Sequence, residues 1–154
     1  MEKTKGRPPG VWLLIVLVIF LGAAAIISGP MLFLSPDGDL IGMSTDVLNG
    51  SPFSDFLIPG IILFIFVGVF PLMVGAGLLK TGWRGLSFLN PLKSYHWAWS
   101  GALAAGIILL IWIITETALL GYISFLQPVM GTWGAALLIL AALPGVRRYY
   151  RRAA

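Results

Sequence analysis

Four long apolar runs restrict the fold of this chain more than any other feature, and Glu116 is the one charged residue inside them. They cover about residues 11–28, 56–79, 97–119 and 129–146. At about 1.5 Å per residue, a helix of this length with its flanking residues crosses a hydrocarbon core about 30 Å thick. Only 10% of the 154 residues are charged, against roughly a quarter in soluble domains. The sequence predicts an all-α membrane protein, a four-transmembrane-helix bundle that forms one domain over residues 1–154.

The first apolar run also allows a second interpretation. It follows a basic tail that contains Lys3, Lys5 and Arg7, and its small residues Ala23, Ala24 and Ala25 resemble a signal-peptide cleavage site. The run is longer than the usual core of a signal peptide, which favours a retained transmembrane helix. Cleavage stays open as the alternative.

The basic residues predict the orientation in the membrane. All ten Lys and Arg lie in the amino-terminal tail, in the connector 80–96 and in the carboxyl-terminal tail. With four spans these segments share one side, which the positive-inside rule assigns to the cytoplasm. We therefore expect a multi-pass protein of the plasma membrane with both termini cytoplasmic. Basic residues placed at span ends indicate topology and not a nucleic-acid partner.

Residues 29–55, between the first two spans, form a polar segment that we call the insert. It contains four of the six acidic residues and no Lys or Arg, so it is predicted to be extracytoplasmic. The residues Ser35 to Gly38 suit a type I turn, and with the apolar residues on either side they predict a short hairpin. Ser44 to Leu48 fits one helical turn that Gly50 ends. The many apolar residues favour an insert that is structured and packs on the bundle.

Two local predictions concern the helices. Pro71 lies inside the second run and predicts a kink between Val67 and Pro71. His96, the single histidine, precedes Glu116 by twenty residues, which is about 30 Å along one helix, so the two cannot form an acid–base pair. We interpret His96 as an interfacial side chain that reaches toward water.

Glu116 is the leading candidate for a functional residue, because a carboxylate within a span costs about 2.5–3.5 kcal/mol at mid-helix and commonly serves function. Its spacing from Ala105, Leu109 and Trp112 places all four on one helix face, and small residues on that face indicate contact with other helices. Glu116 is therefore expected to point into the bundle. The alternative is a structural role as a neutral, hydrogen-bonded acid or as an acid that reaches water. The candidate site comprises residues predicted for the outer half: Glu116, Trp112, Tyr122, Gln127, Asp37, Asp39 and Asp46.

No motif in the sequence indicates a cofactor or a catalytic centre. There is no cysteine, and no phosphate loop, dinucleotide fingerprint, nucleophile elbow or zinc helix is present. The acids of the insert lack the spacing of a calcium loop. We therefore predict neither a cofactor nor a metal. The arginines between residues 147 and 152 could attract anionic lipid, although as the flank of a span they need no such role.

Three strings between Gly29 and Pro128, GPMLFLSPDGDLIGM, GSPFSDFLIPG and WIITETALLGYISFLQP, resemble small four-span integral membrane proteins of bacteria and archaea. That family has no assigned activity or site, so the resemblance implies topology alone. The leading hypothesis is a non-enzymatic membrane protein that binds a small ligand, a membrane protein partner or another copy of itself among membrane lipids. The alternatives are a small carrier or oligomeric ion or proton pathway that uses Glu116, and an intramembrane enzyme that acts on lipid.

Overall fold

A computed structural model describes residues 6–152, and these residues form five helices and no β-strand. Three helices are long and apolar enough to cross a membrane, and a fourth span results if the last two helices, which meet at 66°, are counted as one. The all-helical class is confirmed, and the helices are consistent with a multi-pass membrane protein. The helices are α1 Pro9–Phe33, α2 Leu57–Leu79, α3 Trp97–Leu120, α4 Leu126–Ala142 and α5 Pro144–Tyr150.

The region predicted as the fourth span is divided between α4 and α5. Leu143 has an extended conformation with φ −54° and ψ 133°, and Pro144 then begins α5. The residue before a proline is disfavoured in the helical region, because the proline ring collides with its backbone. Pro144 therefore explains why the helix breaks at Leu143 and not at the arginines that follow.

The hairpin predicted for the insert is wrong. Met31, Leu32 and Phe33 continue α1, and Asp39–Ile41 forms a 3₁₀ turn, so no strands flank the predicted turn. Phe33 packs edge-to-face on Phe64 of α2 with the ring centroids 5.7 Å apart, which favours the longer helix. The turn itself forms, since the N–H of Gly38 donates to the carbonyl oxygen of Ser35 over 3.0 Å.

The rest of the insert lies against α1 and α3. A second 3₁₀ turn spans Thr45–Leu48, and the Ser44 hydroxyl oxygen caps it by accepting the N–H of Asp46 over 3.2 Å. Leu48 and Phe56 are both buried. Burial of these two side chains attaches the insert to the helices, because apolar groups lose contact with water there.

Helix α2 is irregular in the region where Pro71 predicts a kink. A π-helical segment, Leu63–Val69, precedes Pro71 within the continuous helix. Such wider turns accommodate a residue that cannot fit the regular hydrogen-bond ladder. The irregularity thus overlaps the region that the sequence indicates, and it takes the form of a π-helical segment.

Small residues bring the helices into close contact. A Cβ atom on Gly22 of α1 would lie 2.9 Å from the carbonyl oxygen of Gly68 in α2. Between α3 and α4, a Cβ on Gly106 would lie 3.1 Å from the carbonyl oxygen of Gly134, and the reverse distance is 3.2 Å. Close backbone approach through small residues is typical of helix pairs in membranes, where packing replaces the hydrophobic driving force.

The three basic segments of the described chain meet at one end of the bundle. The Arg7 guanidinium donates to the Tyr149 hydroxyl over 3.1 Å and also to the carbonyl oxygen of Leu79. The N–H of His96 donates to the carbonyl oxygen of Tyr150 over 2.8 Å. We call this the basic end, and we call the opposite end, which the insert covers, the cap end.

Candidate functional site

A cavity of about 260 Å³ lies at the cap end, beneath the insert. Its walls come from the end of α1, the insert, the start of α2 and the end of α3. Most of the wall is apolar, and its residues include Leu32, Met43, Phe53, Phe56 and Leu120. A mainly apolar pocket with a few polar groups is the usual form of a small-molecule site.

Glu116 is the one ionisable side chain among the described residues that line this cavity. Trp112 lies one turn earlier on α3 and lines the same cavity. Side-chain N–H groups of Trp112 and Gln127 lie beside the Glu116 carboxyl. The Glu116 side chain therefore faces the space between the helices, as the spacing along α3 predicts.

Gln127 connects this carboxyl to the bend between α3 and α4. It is buried, with 3% of its surface exposed. Its Oε1 atom accepts the N–H of Ile123 over 3.0 Å, and its Nε2 donates to the carbonyl oxygen of Gly121 over 3.0 Å. An amide nitrogen carries two hydrogens, so one hydrogen of Nε2 remains free for another acceptor. Gln127 thus stabilises the bend beside Glu116.

The remaining four predicted site residues, like Gln127, do not line the cavity. Tyr122 is 70% exposed and does not belong to its wall. Asp37 accepts hydrogen bonds from the Ser35 hydroxyl and from the N–H of Asp39, and the Ser35 bond chiefly lowers the pKa of Asp37. Asp46 accepts a hydrogen bond from the Ser44 hydroxyl over 2.9 Å. These aspartates are exposed residues in the turns of the insert, and the fold does not bring them to Glu116.

Residues 6–152 contain no group of three or more side chains that could hold a metal ion. The insert instead supplies apolar residues that the candidate list did not include, among them Ile41, Met43, Leu48 and Phe53. The signal for them was the high apolar content of a segment that is otherwise acidic.

No protein-family model, curated protein or solved structure matches this chain.

His96 lies at the basic end, and its interpretation as a side chain that reaches water is wrong. It is 6% exposed and caps α3, since its Nδ1 accepts the N–H of Ala98 over 3.3 Å. Its Nε2 lies 3.2 Å from the carbonyl oxygen of Trp83. An acceptor role for Nδ1 and a donor role for Nε2 together require the neutral ring with its hydrogen on Nε2.

This arrangement predicts a loss of stability in mild acid. Burial lowers the pKa of His96, so the unfolded chain binds the proton more readily than the folded chain. Stability is therefore complete above the ordinary histidine pKa of about 6.5 and is lost as the pH falls toward the lower pKa of the folded state. We expect the Tm of the protein in detergent micelles to fall between about pH 7 and pH 5.

The matched control for this prediction is His96→Asn. Asparagine is a favoured N-cap residue and does not titrate, so it retains an acceptor for the N–H of Ala98. The Tm of His96→Asn is expected to stay level over the same pH range. Equal pH slopes for the variant and the wild type would assign the effect to another group.

Proposed function

We propose that this protein is a four-span membrane protein that binds a small amphiphilic ligand in the cavity beneath its insert. The ligand has an apolar body and an amine or another hydrogen-bonding group that meets Glu116. The observation that carries the proposal is the composition of the cavity wall, which is apolar except for a few polar groups around a single carboxyl. In such pockets the apolar wall provides affinity and the few polar groups determine orientation.

The membrane topology in this proposal has α4, together with α5, as the fourth span. α4 has 17 residues, which is at the lower limit for crossing a bilayer. The basic end is cytoplasmic in the proposal, because the positive-inside rule applies to all three of its segments. The insert and the cavity then lie on the outer side, where a ligand can enter without crossing the membrane.

The interior of the bundle supports a binding cavity over a pathway through the protein. Below Glu116, the core contains Ala105, Leu109 and Leu137, each exposed by 2% or less. An enzyme that acts on lipid would need a second acid or base beside Glu116. The wall residues within the described chain provide none. Non-enzymatic binding is therefore the function that this geometry supports best.

The test compares three ligands that differ only in their head group: n-octylamine, n-octanol and n-octanoate. We expect octylamine to raise the Tm of the protein in lipid nanodiscs most, and octanoate least, because Glu116 attracts a cation and repels an anion. Glu116→Gln should remove this order and weaken apparent octylamine binding about tenfold, which corresponds to about 1.4 kcal/mol.

Asp39→Asn is the matched control, since it makes the same acid-to-amide change at an exposed residue of the insert. This variant should keep the wild-type order of the three ligands. The control also accounts for partition of the ligands into the bilayer, which is the same for every variant. If none of the three ligands stabilises the wild type, or if Glu116→Gln retains the preference for the amine, the proposal is overturned.

A further inference from the structure

A second pocket, with a volume of about 710 Å³, lies at the basic end. It is formed by the connector 80–96 and the last residues of the described chain. Four basic side chains line it, Arg84, Lys93, Arg151 and Arg152. The hydroxyl residues Thr81 and Ser87 and the ring of His96 complete its polar surface.

Backbone pairing brings these basic residues together from distant parts of the sequence. Tyr95 and Arg151 form an isolated antiparallel bridge. Beside it, the N–H of Arg152 donates to the carbonyl oxygen of Ser94 over 2.9 Å, and the N–H of His96 donates to that of Tyr150 over 2.8 Å. The carboxyl-terminal residues therefore run along the connector, and Arg151 and Arg152 are held at the same pocket as Arg84.

Within residues 6–152, the charges of this pocket have no acidic counterpart nearby. The acids of the described chain are Asp37, Asp39, Asp46 and Asp55 in the insert and Glu116 near the far end of α3. Like charges that share a site repel one another, so the free pocket has an electrostatic cost that a bound anion removes. Membrane topology requires basic residues on this side, but it does not require them to surround one pocket.

We propose that the pocket at the basic end binds a phosphate-bearing anion, either the headgroup of an anionic lipid or a soluble phosphate compound. Guanidinium groups match the oxygens of phosphate in a two-pronged hydrogen bond, and the lysine adds a point charge. Basic pockets at the ends of transmembrane helices bind such headgroups. The connector also exposes Phe88 and Leu89 by 79% and 65%, which suits a segment in contact with the membrane surface.

The first experiment tests the soluble source. Sodium pyrophosphate is titrated into the protein in phosphatidylcholine nanodiscs, and binding is followed by calorimetry. The double variant Arg151→Gln/Arg152→Gln should bind pyrophosphate at least about tenfold more weakly than the wild type, because it loses two charge-assisted contacts. The control is Arg147→Gln/Arg148→Gln, which removes the same charge from the same tail but changes residues outside the pocket. It should bind as the wild type does.

The second experiment tests the lipid source. The same three proteins are released from membranes of phosphatidylcholine and phosphatidate, and retained lipid is identified by native mass spectrometry. Wild type and the Arg147/Arg148 control should retain phosphatidate, and the Arg151/Arg152 variant should lose it. Phosphatidate retention without pyrophosphate binding identifies a headgroup site. Pyrophosphate binding without phosphatidate retention identifies a site for soluble phosphate compounds. Either result supports the phosphate site.

Two results would overturn the inference. One is the absence of both pyrophosphate binding and phosphatidate retention in the wild type. The other is equal weakening by the two double variants, since this would reflect the total positive charge and not the pocket. Arg151→Lys/Arg152→Lys keeps the charge and should retain partial binding. Comparing the Tm of each variant without ligand shows whether the variant has kept its fold.

Discussion

Replacing Gly38 with alanine is expected to release the insert from the bundle, with a many-fold increase in its cleavage by protease. A Cβ atom at this position would lie 1.9 Å from the carbonyl oxygen of Met43 and 2.9 Å from Cε2 of Phe56. The first contact is with backbone, so a change of side-chain rotamer cannot relieve it. Gly38 also has a φ of +87°, which residues other than glycine rarely adopt.

The effect of Gly38→Ala should extend to the cavity. The N–H of Met43 donates to the carbonyl oxygen of Gly38 over 3.1 Å, and the N–H of Phe56 donates to that of Pro36 over 2.9 Å. Met43 and Phe56 both line the cavity. Displacing them removes part of its wall, so the octylamine stabilisation expected for the wild type should be lost together with the protease resistance.

Gly42→Ala provides the control for Gly38→Ala. Gly42 also has a positive φ, +64°, but no atom lies within 4 Å of the position of its Cβ. The Gly42→Ala variant therefore has only the strain of the left-handed conformation, about 1 kcal/mol, and no collision of the added Cβ atom. The measurement is limited proteolysis in nanodiscs, with the cleavage sites located by mass spectrometry. Equal cleavage rates for the two variants would show that the contact with Met43 does not hold the insert.

Replacing Trp97 with alanine is expected to lower the free energy of unfolding by about 3–5 kcal/mol, the usual cost of removing a large buried aromatic side chain. Trp97 is 3% exposed, and its Nε1 donates to the carbonyl oxygen of Trp83 over 2.7 Å. Its ring also packs edge-to-face on the ring of Trp83, with the centroids 5.3 Å apart. Unfolding by denaturant in mixed micelles measures the change. Trp12→Ala, at a residue that is 49% exposed, should cost much less.

A double-mutant cycle tests whether Trp97 packs as described. A Cβ on Gly77 would lie 2.4 Å from Cζ2 of Trp97, so Gly77→Ala alone should destabilise the protein by overpacking, at about 1–3 kcal/mol. Without the indole ring this collision is absent. The cost of Gly77→Ala should therefore be much smaller in the Trp97→Ala background. Additive costs for the two changes would contradict the close contact.

The helices and the direction of Glu116 could be predicted from the sequence because both depend on local patterns. Long uncharged runs indicate membrane helices, and spacings of three and four residues identify one helix face. The end of α1 could not be predicted in this way, since the apolar residues Met31 to Leu34 suit a strand as well as a helix. Contact of Phe33 with Phe64 favours the helix, and that contact is between residues distant in the chain.

The cavity wall and the capping role of His96 depend on tertiary contacts. Phe56 reaches the wall because its backbone is bonded to Pro36, twenty residues earlier. His96 is fixed by the carbonyl oxygen of Trp83, whose position follows from the path of the connector. By contrast, the break before Pro144 has a local cause, and the proline itself was the available signal.

The contacts of Tyr150 bear on the order of assembly during synthesis. Its hydroxyl donates to the carbonyl oxygen of Leu78 over 3.0 Å, and its own carbonyl oxygen accepts the N–H of His96. A ribosome releases Leu78 and His96 long before it adds Tyr150. The earlier helices must therefore lack these contacts at the basic end until Tyr150 has been synthesised and has left the ribosome. Ribosomes stalled shortly before residue 150 should hold an intermediate that is inserted in the membrane but lacks the contacts of Tyr150 with Leu78 and His96.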